Sequence, residues 1–126
     1  MKNKKSQLQS EADTLWYQVA FTGKCEVCGR PSNQVHHYYY KGNYGHMRYD
    51  LDNAINICMG CHFTIHHKDP KQNEKIIEAK RGKEWADKLE ARSKVRLSSF
   101  KTVKYYEDTI SNLKLKLLDK QKLTII

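Results

Sequence analysis

No stretch of this chain approaches the run of roughly 18 to 20 apolar residues that a helix needs to cross a bilayer, so a membrane-spanning helix is excluded. The opening MKNKKSQLQSEAD is charged and has no apolar segment behind it. It does not read as a secretory signal, and a reducing cytoplasm is the expected compartment. Apolar residues are scarce, at 39% of 126 residues with a mean hydropathy of -0.83. One compact domain with a thin core follows, of the kind that leans on a metal or a partner subunit for stability. Acidic residues are in short supply as well, 14 against 23 Lys and Arg, leaving a formal net charge of +9 and a pI near 9.4. That field suits a polyanionic partner, most commonly nucleic acid. The sequence has no internal repeat and no low-complexity tract. Histidine is missing everywhere except between residues 36 and 67, where all six are found.

What is present has a readable order. Leu8, Ala12, Leu15 and Val19 step by four, three and four, with Trp16 beside them, which predicts a helix over 6–21. Gly23 ends it and leads into CEVCGR, a tight turn for which Gly29 and Pro31 are suited. NQVHHYYY predicts a strand, KGNYGHMRYD a loop and NAINIC a second short strand. A helix is expected from about Gly60 until Asp69-Pro70 breaks it, then helices over 72–81 and 83–93 interrupted at Gly82, with Ile76, Ile77, Trp85 and Leu89 inward. Ser98-Ser99 is a boundary and cap, and a last helix spans 101–121. Its seam of Val103, Tyr106, Ile110, Leu113 and Leu117 suits packing within the chain or on a second copy, a homodimer through the C-terminal helix. The expected division is an N-terminal helix (1–24), a metal-bound core (25–70) and a basic helical C-terminal region (71–126).

Cys25-x-x-Cys28 and Cys58-x-x-Cys61 flank 29 residues. Two such pairs close a tetrahedral Zn²⁺ with four thiolates and leave no open position, so this zinc would be structural and its binding energy would offset the thin core. The other readings are free or redox thiols, or a zinc that takes His36 or His62 in place of one cysteine. The histidines are then left for other work. His36 and His37 are neighbours in a strand and project from opposite faces. His62 and His66 are four apart in a helix and can chelate one ion. A second metal site is the expectation. His46 and His67 read as surface residues.

The run HH…DLDNAINICMGCHFTIH resembles the HNH, or ββα-metal, nuclease motif in the form bracketed by a four-cysteine zinc. The resemblance implies a small α+β fold, a zinc-stapled, treble-clef-like ββα-metal core flanked by N- and C-terminal helices. It implies that His37 is the general base, that His36, His62 and His66 hold a catalytic divalent metal, and that Asn53 braces the catalytic loop. The arrangement from the first helix through CEVCGR and HHYYYKGNYGHMRYDLDNAINICMGCH to a basic helical tail is similar to the NinG/Rap family of phage recombination endonucleases. That similarity implies cleavage of branched or recombining DNA. The chain departs from that family at His36 and His62, where the family often has other residues, and so has a metal site richer in imidazole.

An imidazole titrates near pH 6.5, so a neutral fraction is available at pH 7 to take a proton from water. Three imidazoles suit Ni²⁺, Co²⁺, Zn²⁺ or Mn²⁺, whereas Mg²⁺ prefers oxygen and would need phosphate and water to complete its sphere. Lys41 and Arg48 are candidates for gripping phosphates. Tyr38 and Tyr44, from a set that also holds Tyr39 and Tyr40, are candidates for stacking on splayed bases. The cations between Lys71 and Arg96 form a band that suits DNA backbone or a solvated helix face equally. The leading expectation is a metal-dependent DNA endonuclease. The alternatives are an inactive zinc module that binds nucleic acid, or an HNH nuclease of restriction or toxin type.

Overall fold

A computed structural model describes residues 3–67, 69–96 and 100–125, the side chains of 64–67, 124 and 125 excepted. The elements are α1 (Lys4–Ala20), β1 (Val35–His37), β2 (Ala54–Asn56), α2 (Met59–His67), α3 (Pro70–Arg81), α4 (Lys83–Lys94) and α5 (Val103–Ile125), with single 3₁₀ turns at Gly45–Met47 and Leu51–Asn53. The protein is thus α+β and mostly helical, with one two-stranded sheet. No described helix is long and apolar enough to cross a membrane.

The chain divides into two units, one of residues 21–96 and one of residues 1–20 with 97–126. In the second, α1 packs along α5. Ala12, Leu15 and Trp16 are buried on α1, and Tyr106, Ile110 and Leu113 on α5. Each apolar side chain fully removed from water contributes about 1.5–3 kcal/mol. The seam read from the sequence therefore packs within the chain. Asn3 caps α1 by accepting from the Ser6 N–H at 2.8 Å, which starts the helix two residues before the expected 6. The expected Ser98-Ser99 cap lies outside the described residues. Thr102 does that work, its hydroxyl accepting from the Tyr105 N–H at 3.0 Å.

The unit of residues 21–96 is built on an antiparallel hairpin in which Val35, His36 and His37 pair with Asn56, Ile55 and Ala54. Its core is Cys25, Ile55, Ile57 and Ile77, with Val27, Tyr38, Cys58, Cys61 and Trp85 against it. The first strand stops at His37, short of the expected NQVHHYYY, because Asn53 takes the next donors: its carbonyl accepts from Tyr38 N–H at 2.8 Å and its side chain from Tyr39 N–H at 2.7 Å. Asp69 caps α3 and Pro70 sits in its first turn, so the residues expected to break one helix start the next. Gly82, at φ 98°, joins α3 to α4, in a region that side chains with a Cβ rarely enter.

Where the sequence divides at 24/25 and 70/71, the structure keeps α3 and α4 with the hairpin. The reason lies in long-range pairs. Arg81 grips Glu26 through two bonds of 2.7 and 2.8 Å, donates to the Ala54 and Asp52 carbonyls, and lies 4.9 Å over the Trp85 ring. Trp85 donates to the Asp52 carbonyl, and Arg92 bridges Asp50 and Asp52. His46, expected at the surface, is half-buried and donates to the carbonyls of Arg92 and Ser93 in the last turn of α4, where carbonyls lack the usual partner four residues on.

Candidate functional site

The first metal site is formed by two turns that meet. Gly29, at φ 79°, lets the first cysteine turn close, with its N–H on the Cys25 carbonyl at 3.0 Å and the Cys25 N–H on the Arg30 carbonyl at 2.8 Å. The second pair lies where β2 runs into α2. The Sγ atoms of Cys25, Cys28, Cys58 and Cys61 all fall within 4.8 Å of one another, and Cys28 and Cys58 are 3.6 Å apart. Zn–S bonds of about 2.3 Å in a tetrahedron put sulfurs about 3.8 Å apart, so the four thiols fit a zinc ion. None is in a disulfide. Burial pushes the Cys25 thiol up, but the backbone N–H groups of Cys28, Cys58 and Val27 outweigh it and bring it down to about 6, toward the thiolate that metals bind. Burial and the neighbouring sulfurs push Cys61 the other way.

The second cluster is made by imidazoles. The rings of His36, on β1, and His62, on the first turns of α2, meet edge to face with centroids 4.7 Å apart. A strand face and a helix start, separated by 25 residues of sequence, thus bring together two of the three expected ligands. His66 lies one turn further along α2, with its side chain outside the described residues. His37 points elsewhere from the same strand: its Nε2 donates to the Arg48 carbonyl at 2.9 Å. A carbonyl can only accept, so this bond places the proton on Nε2 and the lone pair of the neutral ring on Nδ1. His36 and His37 both border a small cleft whose other walls include Tyr40 and Glu74.

Asn53, fully buried, holds the segment between the strands. Its Nδ2 donates to the carbonyls of Tyr39 at 3.1 Å and Met47 at 3.2 Å while its Oδ1 accepts from Tyr39 N–H. One amide thereby ties Tyr39 to Met47, the residue before the Arg48 whose carbonyl orients His37. Asn53→Ala should cost about 3 kcal/mol in urea unfolding, since buried backbone groups left unpaired cost about 1–3 kcal/mol each. Asn53→Asp, which keeps the acceptor but buries a carboxylate facing the Tyr39 and Met47 carbonyls, should cost at least as much.

The other expected contacts are distributed unevenly. Lys41 is exposed on the loop, and Arg48 is half-buried with its guanidinium 5.9 Å from the Tyr49 ring. Tyr38 packs edge-on against Trp85 and donates to Glu78 at 3.0 Å; burial and that carboxylate push its phenol up. Tyr44 has Arg96 over its face at 4.9 Å. Both tyrosines border a groove whose opposite wall carries Glu74, Glu78, Asp87 and Glu90, a wall that repels phosphate. Of the basic band, Lys80, Arg81 and Arg92 hold the fold, Lys80 through the Glu26 and Val27 carbonyls.

Sequence reasoning had Tyr40, whose ring is 5.8 Å from that of His36, only as one of the tyrosines able to stack on bases, and left out Glu74. Only the YYY run hinted at the first, and nothing local marks the second. Against protein-family models, curated proteins and solved structures, the chain matches none.

Proposed function

We propose that the protein is a metal-dependent DNA endonuclease of the HNH type, hydrolysing phosphodiester bonds in branched or recombining DNA. The observation that carries this reading is the His36–His62 pair, 4.7 Å between ring centroids, beside a His37 whose tautomer is set by the Arg48 carbonyl. A pure binding module has no use for a histidine held in one tautomer one residue along the strand from the His36–His62 pair. The net charge of +9 supports a polyanionic substrate.

His36 and His62, with His66 on the same helix, would hold a divalent ion. When bound, that ion supplies Lewis acidity to the phosphate and its leaving oxygen. Nδ1 of His37 accepts a proton from the attacking water as its oxygen bonds to phosphorus, and the P–O3′ bond breaks, the 3′ oxygen taking a proton from solvent. The Arg48 carbonyl, still accepting from Nε2–H, stabilises the imidazolium that forms. Asn53 positions that carbonyl and touches no substrate. Lys41 and Arg48, on the segment between the two strands, would grip phosphates on either side. The resemblance in sequence implies 5′-phosphate and 3′-hydroxyl ends.

The test is incubation of supercoiled plasmid and a four-way junction with the zinc-loaded protein and Mg²⁺, Mn²⁺ or Ni²⁺. Nicking that needs the added ion, and falls at least about a hundredfold in His36→Ala and His62→Ala with the four-cysteine zinc retained, is the expected result. Binding without nicking in every ion would replace this reading by an inactive zinc module.

A further inference from the structure

A groove of about 890 Å³ runs between the tyrosine segment after β1 and the outer faces of α3 and α4. That volume falls in the range of pockets that take a substantial ligand. One wall is aromatic: Tyr38, Tyr39 and Tyr44 contact edge to face in series, at 5.4 and 5.1 Å, and Tyr40 continues the wall. The facing wall is acidic, with four carboxylates against Lys75 and Lys83, in a chain whose overall charge is +9. Glu78 accepts from Tyr38, and Glu90 pairs with Lys94 at 3.4 Å. No ion pair engages Glu74, on α3, or Asp87, on α4, among the described residues, and both are exposed.

Aromatic faces opposite carboxylates are an environment for cations: the ring quadrupole attracts the charge, and the carboxylate accepts its hydrogen bonds. The chain itself supplies a precedent. Arg96 lies 4.9 Å over Tyr44, in an adjoining hollow that Tyr39 and Glu90 also line. One end of the aromatic wall therefore already holds a guanidinium, and the longer part has the same two chemistries.

We infer that this groove docks an arginine- or lysine-bearing segment of a partner protein, with cationic side chains between the tyrosine faces and the carboxylates of Glu74 and Asp87. Those two acids come from different helices, which matches a segment with several cations in preference to a single small amine. The inference does not depend on nuclease activity. It gives the surface a polarity, because DNA is repelled from the wall that attracts the segment.

The probe is a dye-labelled hexa-arginine peptide, its anisotropy followed on addition of the zinc-loaded full chain at physiological salt. Saturable binding is expected, weakened at least about tenfold by Glu74→Lys with Asp87→Lys, since like charges placed together at an interface cost several kcal/mol. Both positions are exposed, so the fold should survive, which circular dichroism checks. A control with the same net charge, Glu107→Lys with Asp108→Lys on α5, should bind as the parent does. Three results would overturn the inference: no saturable binding, equal weakening in the control, or displacement of the peptide by spermidine at matched charge, which would make this a polyamine site. A labelled single-stranded oligonucleotide whose binding is lost on Tyr40→Ala and Tyr44→Ala would assign the groove to nucleic acid and overturn it too.

Discussion

Stripping the metal with a strong chelator at neutral pH should unfold residues 21–96, and Cys58→Ser should fail to fold them at all. The four sulfurs join a turn at 25–28 to one at 58–61, and Cys25 is itself part of the buried core with Ile55, Ile57 and Ile77. Structural zinc contributes about 10–16 kcal/mol of apparent binding free energy in small zinc-dependent peptides at pH 7. A unit of 76 residues, 21 through 96, has a net stability of only about 4–11 kcal/mol at the usual 0.05–0.15 kcal/mol per residue. The metal term is as large as the whole margin, so its loss should abolish cooperative unfolding and not merely lower Tm. Circular dichroism during chelation, with released zinc read by a chromogenic dye, gives both quantities. One zinc per chain is expected. A metal-free protein with an unchanged melting curve would show that the thiols are not what holds this unit together.

His37→Ala should reduce DNA cleavage by about 10² to 10⁴, the range that a positioned general base contributes. The alanine variant alone is ambiguous, because it also removes the bond to the Arg48 carbonyl and loosens the loop. His37→Gln separates the two effects. Its amide N–H can keep the Arg48 contact, but it has no nitrogen that accepts a proton at neutral pH. The glutamine variant should match the parent in stability and zinc content and the alanine variant in inactivity. Activity in the glutamine variant would make His37 a positioning residue only.

How far the sequence could be read depended on distance along the chain. The Cys-x-x-Cys pairs are local, and each predicts its own turn, so the sulfur cluster was legible before any coordinate. The same holds for the register of α1 and α5, where apolar steps of three and four mark one face. Asn53 was legible as a brace only through the family resemblance, since an Asn beside an Asp is ordinarily a turn residue. Its bonds to Tyr39 and Met47 also cut the first strand to three residues, against the β propensity of the YYY run. The membership of α3 and α4 was not legible, because Arg81–Glu26 and Arg92–Asp50 join residues 55 and 42 apart. Charge pattern alone could not separate cations that hold the fold from cations available to a ligand. Nor could it show that the tyrosines face an acidic wall, a pairing that exists only once both helices have folded back.

The pairing of α1 with α5 is a clasp that closes the sequence between them into one long loop. If residues 21–96 become a free chain, closing that clasp must overcome a loop entropy of about 4 kcal/mol plus a constant. Once residues 21–96 are folded, that stretch is no longer a free chain and the cost falls. The clasp should therefore weaken when loss of the metal frees the chain between its two helices. A tryptophan signal from Trp16, inside the helical pair, should change when a chelator acts on sulfurs that belong to the other unit.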